Sequence, residues 1–533
     1  MNYFKKYIKS NLLVLLAAAT SLTGCTKLDT VPGSALTPDN FPTNAAQFLQ
    51  ATGPIYTSFY TAPGRPYWFV QNLSADENVL VARGGNWYDG ATYAQLFLHT
   101  YNADNGNVGS CWSWGFGTIG QCNQVLNIFA SAPESPAKVQ TLAEVKTMRA
   151  LCYFYMMDLF GNVPLTTVFA DPTADLATKP RAQIFSFIET ELLAQIPNLS
   201  ATTGSSTYGR PTKYLAYAIL AKMYLNAQYY TGTARWQDAV TMCDNIISGG
   251  QYELTADYLA MFKPNNTTTA PKDFIFAIPY DGLNALGMTY ARFTMHPSLQ
   301  TKYKMPYTPA GPMYTLPTFI ALYNDANDVR KKQYLIGKQF LNDGSPIIVT
   351  TTNKGLSDAY NGPSPTAVVQ HQLEFTPDII FRNVATFDVG NDELANEEGA
   401  RSIKFYPDSL SPVRDQGNDV PMFRYADVLL EKAEAILRGA TPTLGHTPVS
   451  LVNQVRARAK AAPVAAVTLN DILDERGREF PMEGWRRNDL IRYGLFERTY
   501  SIKTDADPNH RIFPVPRAEM QLNPKLVQNP GYN

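Results

Sequence analysis

The sequence predicts a mainly α-helical protein in which a helical-repeat scaffold carries an irregular, loop-rich part with short strands. Three observations support this fold class. Apolar residues recur at helical spacing through much of the N-terminal and C-terminal parts of the chain. Residues 213–247 have the pattern of a two-helix repeat unit. Residues 252–420, in contrast, contain many prolines and only short apolar runs, which is typical of loops and short strands.

The N-terminus has the layout of a secretory signal. Three lysines precede an apolar stretch at residues 12–19, which is too short to span a bilayer. The sequence Leu-Thr-Gly-Cys then ends at Cys25 and resembles the bacterial lipobox, in which the cysteine is acylated. We therefore expect a signal peptide over residues 1–24, a lipid on Cys25, and a tether over residues 25–43 that is rich in Pro, Thr, Ser and Asp. The alternative is an ordinary signal peptide with an incidental cysteine.

The N-terminal part, residues 44–251, contains most of the predicted helices. Its helical segments are residues 45–60, 112–129, 142–160, 184–196 and 213–247. In the last segment, Y-x2-L-A-x2-Y from Tyr217 and A-x3-C from Ala239 fit the two helices of a tetratricopeptide repeat (TPR). Residues 425–437 and 449–460, in the C-terminal part (residues 421–533), form a second candidate pair. Such helix pairs predict a solenoid-like, TPR-like scaffold.

Two regions interrupt the helical pattern. Residues 70–107 have glycines between aromatic residues, which predicts loops with short helical pieces. Residues 252–420 include strand-like runs at Phe274 to Ile278 and Ile347 to Thr352. Long loops in a compact protein are usually functional, so we expect the ligand-binding part here.

The segment TLNDILDERGREFPMEGWRRNDLIRYG, residues 468–494, is dense in charges of both signs. A capping box at Thr468 and Asp471 begins a helix, Pro481 and Gly484 end it, and a second helix follows. Aromatic and aliphatic residues alternate with the charges. This pattern predicts ion pairs that are partly withdrawn from water.

Three acids in this segment, Glu475, Glu479 and Glu483, could instead be the acid pair of a glycosidase. A glycosidase needs one carboxyl group that keeps its proton, usually through apolar burial. Each of these carboxylates has an arginine within one helical turn, which favours the ionised form. We therefore predict a structural ion-pair network and no catalysis.

Composition limits the classes of function. The chain has 533 residues, of which 45% are hydrophobic and 17% charged, and a formal net charge of -1. This length suits a large core, and a near-neutral chain without a long basic run is not typical of a nucleic-acid-binding protein. Aromatic residues make up 12% of the chain, including 31 tyrosines, which is more than a core requires. Tyrosine can offer a flat ring to a ligand while its hydroxyl stays solvated.

Three stretches resemble one family. ERGREFPMEGWRRNDLIRYG resembles the C-terminal signature of the SusD/RagB family of bacterial outer-membrane nutrient-binding lipoproteins. The closing residues 511–533 resemble that family's usual ending, and MRALCYFYMMDLFGNVPL at residues 148–165 resembles its arginine-alanine-aromatic helix before a Gly-x-x-Pro turn. The resemblance implies a lipid-anchored, outward-facing outer-membrane protein that binds a nutrient oligomer, most often a glycan and sometimes a peptide. It also implies delivery to a SusC-like TonB-dependent transporter, with no catalysis.

Two groups of loop residues are the candidate ligand site. Sugar recognition needs flat rings and forked polar groups for the hydroxyls. In glycan-binding members of the family the site is an aromatic arc on loops, helped by an acid and an arginine. The residues that match by type and position are Asp76, Arg83, Trp87 and Tyr88, and a second group, Tyr280, Tyr303, Tyr307 and Tyr314, matches more loosely. The alternative for each ring is a place in the core.

The sequence predicts no cofactor and no metal site. It lacks G-x-S-x-G, H-E-x-x-H and P-loop motifs, and its five histidines are scattered, so we expect ordinary surface or loop histidines. Asp325 with Asp328, or the acidic run from Asp392 to Glu398, could hold calcium, but neither has EF-hand spacing. We favour a solvated acidic loop.

The cysteines other than Cys25 are expected to be buried thiols. Cys111 and Cys122 would lie about 16 Å apart on one helix, too far for a disulfide. A bridge that involves Cys152 or Cys243 stays open in an oxidising compartment. Two other functions also stay open: a lipid-anchored glycoside hydrolase, and a structural TPR-type adaptor with a concave surface for protein.

Overall fold

The structure is a computed structural model that describes residues 41–171, 173, 175–268, 272–351 and 369–532. The predicted signal peptide, Cys25 and most of the tether lie outside the described residues. Within the described ranges, no helical segment combines the length and the apolar character that crossing a bilayer requires.

Helices dominate the N-terminal part, as the periodicity predicts. Asn44, Asn105 and Ser135 cap helices α1, α4 and α5 by accepting backbone N–H groups of the first turn. The helices are α1 Ala45–Ser58, α2 Pro66–Leu73, α3 Thr92–Leu98, α4 Gly106–Phe129, α5 Pro136–Phe160, α6 Arg181–Gln195, α7 Lys213–Leu225, α8 Ala227–Thr231 and α9 Trp236–Ser248.

The remaining described helices are short in the middle of the chain and longer near its end. They are α10 Tyr290–Thr294, α11 Gln300–Tyr303, α12 Pro317–Ile320, α13 Glu393–Glu397, α14 Tyr425–Leu437, α15 Pro448–Arg458, α16 Leu469–Glu479, α17 Arg486–Arg492 and α18 Arg517–Leu522.

The described strands form two-stranded antiparallel ladders. The pairs are β1 Asn78–Leu80 with β5 Met313–Thr315, β2 Val163–Pro164 with β3 Thr178–Lys179, β4 Phe274–Ile278 with β12 Val420–Arg424, β6 Tyr334–Leu335 with β11 Arg401–Ser402, β7 Gly337–Lys338 with β10 Glu374–Phe375, and β8 Ile348–Thr351 with β9 Val369–Gln372. Val79 of β1 lies opposite Tyr314 of β5, which joins the two predicted loop regions.

Helix pairs form the scaffold. Helix α9 packs against α7 and α14, and α14 packs against α15. The small residues of the repeat pattern, Ala221, Ala239 and Cys243, are fully buried where these helices meet. The main apolar core runs through these pairs and takes members from Phe48 to Leu526.

The charged C-terminal segment is a buried ion-pair network, as predicted. Glu479 is fully buried and accepts hydrogen bonds from Arg330 (3.0 Å), Arg424 (2.9 Å) and Arg458. Burial alone would raise the pKa of Glu479, but the three arginines lower it well below its ordinary value. The pKa of Glu475 is also lowered, because Arg330 and Arg478 outweigh its burial. Neither group can serve as a proton donor near neutral pH.

Two sequence predictions about titratable residues were wrong. His99 and His296 are buried rather than at the surface, because an apolar environment and hydrogen bonds to neighbouring groups accommodate their neutral rings. The acidic run from Asp392 to Glu398 is not a solvated loop. Its buried glutamates pair with basic side chains: Glu393 with His296 (3.1 Å), Glu397 with His371, and Glu398 with Arg382 (2.8 Å).

The described cysteines are buried free thiols, as predicted, and Cys111 and Cys122 do lie on one helix, α4. Burial raises the pKa of each of these thiols, so each is protonated and unreactive. Among the described residues, no group of acidic, histidine or cysteine side chains is arranged to hold a metal ion.

Candidate functional site

A tight turn after strand β1 holds the loop that carries Trp87 and Tyr88. Arg83 and Asn86 exchange backbone hydrogen bonds of 2.8 and 3.1 Å. The N–H groups of Gly84 and Gly85 donate to the carboxylate of Asp388, at 2.9 and 2.7 Å. The turn is therefore anchored to the irregular part of the chain, more than 300 residues later.

The loop that follows is strained. Trp87, Asp89 and Ala91 all have left-handed backbone conformations, with φ of 70°, 43° and 65°. Each such residue costs about 1–2 kcal/mol for a side chain that bears a Cβ. Strain of this kind persists only where the surrounding structure imposes it, and it is concentrated at functional sites.

Trp87 belongs to an aromatic cluster that is open on one side. Its half-buried ring meets the edge of Phe293 on α10, with centroids 5.7 Å apart. Phe293 packs in turn against Phe69 on α2 (4.9 Å), which contacts Tyr93 on α3 (5.3 Å). Three helices thus support the ring, and Tyr88, also half-buried, makes no ring contact in the described structure.

Arginines surround this cluster. The guanidinium carbon of Arg292 lies 5.7 Å from the centre of the Trp87 ring and 5.4 Å from that of Phe293. The guanidinium carbon of Arg65 lies 5.8 Å from the same Phe293 ring. All three distances are within the range of cation–π attraction.

Arg83 supports the site from beneath. It is buried, and its guanidinium donates to the carbonyl of Ala310 (2.6 Å) and to the side-chain carbonyl of Asn396 (2.8 Å). The N–H of Ala310 donates to the carbonyl of Arg292 at 2.9 Å. Arg83 therefore fixes the segment that carries Tyr307 against the helix that carries Arg292, and it does not itself face solvent.

Tyr307 lies beside the arginines. Burial raises the pKa of its half-buried phenol, while Arg292 and Arg414 act in the opposite direction. Its hydroxyl oxygen is buried and has no hydrogen-bond partner among the described residues. Buried hydroxyls without a partner are rare in folded proteins, and a water molecule or a ligand group would satisfy this one.

A groove of about 720 Å³ adjoins the cluster at Arg65. Its wall is one face of α4, where Gly106 and Gly109 have no neighbour within 4 Å of an added Cβ. Trp114 closes the groove. A chain of sugar rings could extend from Trp87 into this space.

Four of the predicted site residues are enclosed by the fold, and we leave them out of the site. Tyr314 is fully buried, with its ring 3.7 Å from the guanidinium carbon of Arg401, because β5 pairs with β1 in the interior. Tyr280 donates its hydroxyl to the carbonyl of Tyr60 (2.9 Å), and Tyr303 packs on Tyr406.

Asp76 is the fourth enclosed residue. Its carboxylate is buried and accepts hydrogen bonds from Arg486 (2.7 and 3.0 Å) and from Arg498. It therefore extends the C-terminal ion-pair network. The structure brings together Trp87, Tyr88 and Tyr307 from the predicted set, with Arg83 behind them.

Sequence reasoning missed Arg65, Phe69 and Phe293, which belong to the cluster, and Arg414, which lies near it. Arg292 lies between Tyr280 and Tyr303 in the sequence, and so beside the second group of predicted site residues. Its neighbour Phe293 gave no signal that distinguishes it from a core residue. Arg65, in the turn before α2, would have been found only by asking which arginines lack an acid near them in sequence.

The helical fold and this cluster define a class of protein: a TPR-like binding protein whose candidate ligand site lies on loops. Comparison with known proteins identifies the family. Residues 272–532 match the SusD family, and residues 36–225 match a family described as starch-binding and associating with the outer membrane. The two matches together cover most of the chain, which belongs to the SusD family.

Individual proteins are similar along most of their length. Starch-binding protein SusD of Bacteroides thetaiotaomicron is 26% identical over 471 residues, which cover 79% of this chain and 78% of that protein. Surface glycan-binding protein A of the same species, solved in complex with laminarihexaose, has a TM-score of 0.66 at 21% identity and covers 91% of this chain and 99% of its own. Surface glycan-binding protein A of Bacteroides fluxus has a TM-score of 0.70 at 19% identity, with coverages of 92% and 100%. These similarities confirm the mainly helical, TPR-like fold.

Proposed function

We propose that this protein is a lipid-anchored, cell-surface SusD-like protein that binds a glycan and passes it to a SusC-like TonB-dependent transporter without cleaving it. The observation that carries the proposal is the half-exposed Trp87 ring, held by a strained loop between Phe293 and Arg292. A ring that is fixed in this way loses little conformational freedom when a sugar stacks on it. Starch and laminarihexaose, the ligands in the names of the relatives, are both glycans.

The proposal of a lipid at Cys25 is based on the sequence, and the proposal of a transporter partner is based on the family. Acylation at Cys25 would hold the chain at a membrane without any spanning helix. The partner barrel is expected from family resemblance, and peptide remains the second candidate ligand.

The alternative of a glycoside hydrolase has little support. The glutamates of residues 475–483 are saturated with arginine and lysine contacts, and arginine contacts lower the pKa of Glu475 and Glu479. A hydrolase would need one of them to keep a proton. The adaptor alternative differs from our proposal in predicting no glycan binding at all.

Titration of the purified chain with soluble glycans tests the proposal. We expect saturable binding without products, and an affinity about tenfold lower for Tyr88→Ala and Trp87→Ala, since an aromatic anchor contributes more than about 1 kcal/mol. Tyr88→Ala should leave the thermal midpoint unchanged because its ring contacts no other ring.

Tyr217→Ala is the matched control. Tyr217 is a half-buried tyrosine on α7, outside the loops, and its removal should not change glycan affinity. Equal affinities for all three variants would show that the site lies elsewhere. Release of shorter sugars would favour the hydrolase.

A further inference from the structure

Three arginines at the candidate site have no acidic partner. Arg65, Arg292 and Arg414 are exposed or half-buried. Within the described ranges, no carboxylate lies within 4.0 Å of their guanidinium nitrogens, and their side chains make no hydrogen bond. Other arginines of the molecule, such as Arg330 and Arg424, are paired with acids on several sides.

Two of the arginines contact the aromatic cluster, and the third lies close enough to act on Arg292 through its charge. Arg65 and Arg292 both lie against the Phe293 ring, and Arg292 also lies against Trp87. Arg414 lies next to Asp415 in the sequence. The carboxylate of Asp415 accepts a hydrogen bond from the N–H of Gly287 at 2.7 Å, which connects the segment of Arg414 to the segment just before α10. The side chains come from three separate parts of the sequence.

Their charges repel one another. Burial lowers the pKa of Arg292 first, and the positive charges of Arg414 and Arg65 lower it further. Arginine nevertheless stays ionised at any physiological pH, so this repulsion is a cost of folding that a bound anion would relieve.

The nearby carboxylates form no ion pair with these arginines. Asp415 and Asp408 are occupied by backbone N–H groups: that of Gly287 for Asp415, and those of Leu410, Ser411 and Gly417 for Asp408. Asp89 lies in the strained turn and acts on Tyr93. None of the three is within ion-pair distance of the arginines.

We propose that the glycan bound at this site is anionic, with carboxylate or sulfate groups that Arg65, Arg292 and Arg414 bind while Trp87 and Tyr88 hold the sugar rings. Guanidinium groups form paired, charge-assisted hydrogen bonds with both kinds of anion. This inference rests on the proposed function, because it names the class of glycan that the same site takes.

The test compares matched pairs of oligosaccharides by titration calorimetry. One pair is an oligogalacturonide and its carboxyl-reduced form, and the other is a sulfated galactan oligosaccharide and its desulfated form. We expect at least one acidic member to bind about tenfold or more tightly than its neutral counterpart, and this difference to shrink in high salt. The two pairs distinguish carboxylate from sulfate.

Substitution connects the preference to the arginines. Arg292→Gln and Arg65→Gln should each lower the affinity for the acidic member about tenfold and that for the neutral member by a smaller factor, because both guanidinium groups also contact the rings of the aromatic cluster. Arg181→Gln is the control. Arg181 is also a half-buried arginine without an acidic partner in the described structure, but it lies against Tyr229 and Tyr230, away from the aromatic cluster. It should change neither affinity.

Each remaining outcome counts against the inference. Equal binding of acidic and neutral members, unaffected by salt and by the arginine substitutions, would overturn the anionic ligand and leave glycan binding intact. If the protein bound neither any of the four oligosaccharides nor any neutral glucan tried with them, both this inference and the proposed function would be overturned.

Discussion

Glu77 and Glu479 are both fully buried glutamates, but their surroundings act on their pKa in opposite directions. Glu77 accepts hydrogen bonds from the N–H of Met482 (2.6 Å) and the amide of Asn78 (2.8 Å), and its second oxygen has no partner among the described residues. Burial therefore raises the pKa of Glu77 to about 7. Glu479 has three arginines and stays ionised.

The Glu77 carboxyl should make stability depend on pH. Between its ordinary pKa of 4.5 and a folded-state pKa of about 7, the folded protein holds a proton that the unfolded chain releases, so stability falls as pH rises through this window. Glu77→Gln has no carboxyl group at this position, so its stability should not fall in this pH window for that reason. We expect the variant to gain stability over the parent by up to about 3 kcal/mol between pH 4.5 and 7.5, at about 1.4 kcal/mol per unit of pKa difference.

Urea unfolding at several pH values measures this gain. Glu253→Gln, at an exposed glutamate, is the control and should run parallel to the parent at every pH. If Glu77→Gln also ran parallel to the parent, Glu77 would be ionised in the fold and its raised pKa would be refuted.

At the scale of elements, helix α16 connects several parts of the chain through charge. Glu479 joins it to Arg424 on β12, Arg458 on α15 and the turn that contains Arg330. Arg476 joins it to Asp427 on α14 (2.5 Å) and Asp489 on α17 (2.8 Å). The orientation of these elements therefore depends on a few buried side chains.

Glu479→Gln should be strongly destabilising. It leaves three buried arginines around a neutral amide, and loss of one member of a buried ion pair costs about 3–5 kcal/mol. Denaturant unfolding at neutral pH measures the loss, and Glu253→Gln again serves as the control, with an expected change below about 0.5 kcal/mol. A similarly small loss for Glu479→Gln would show that the network sets specificity rather than stability.

The elements were largely predictable, because their signals are local. The capping box at Thr468 is present, with Asp471 accepting the N–H of Thr468 at 2.7 Å, and the helix ends at Glu479, before Pro481. Apolar spacing in the same way predicted the helices of the repeat pairs to within a few residues. Strand Phe274–Ile278 was predicted from its apolar run alone.

The site was predictable only in part, because it depends on contacts between distant residues. Trp87 and Tyr88 stay predicted site residues, but nothing near Tyr314 in sequence shows that β5 pairs with β1 and encloses its ring. Phe293 and Arg65 come from segments far apart in the sequence, and sequence spacing does not show that they lie against each other in the fold. Arg83 was predicted as a ligand contact, whereas long-range hydrogen bonds give it a positioning function.

At the scale of the whole molecule, the proposed lipid at Cys25 determines where the protein resides. We expect Cys25→Ser, expressed with its signal peptide in a bacterium that makes such lipoproteins, to move from the outer-membrane fraction to the soluble fraction, because the substitution removes every acyl chain. The parent, extracted in mild detergent, should co-purify with a barrel transporter. Fractionation and mass spectrometry of the extract measure both.

Tyr217→Ala is a suitable control, since it leaves the lipobox intact and should stay in the membrane fraction. Retention of Cys25→Ser in the outer membrane, without an acyl group, would require another means of attachment and would contradict the proposed anchor.

The main apolar core has a consequence for how the chain is made. Its members extend from Phe48 to Leu526. Strand β4 pairs with β12, so it cannot form its ladder until β12 has been synthesised. A polypeptide with contacts so far apart in sequence acquires them late and slowly. The core can therefore close only after nearly all of the chain has been made, although neighbouring helices such as α4 and α5 can pack together earlier.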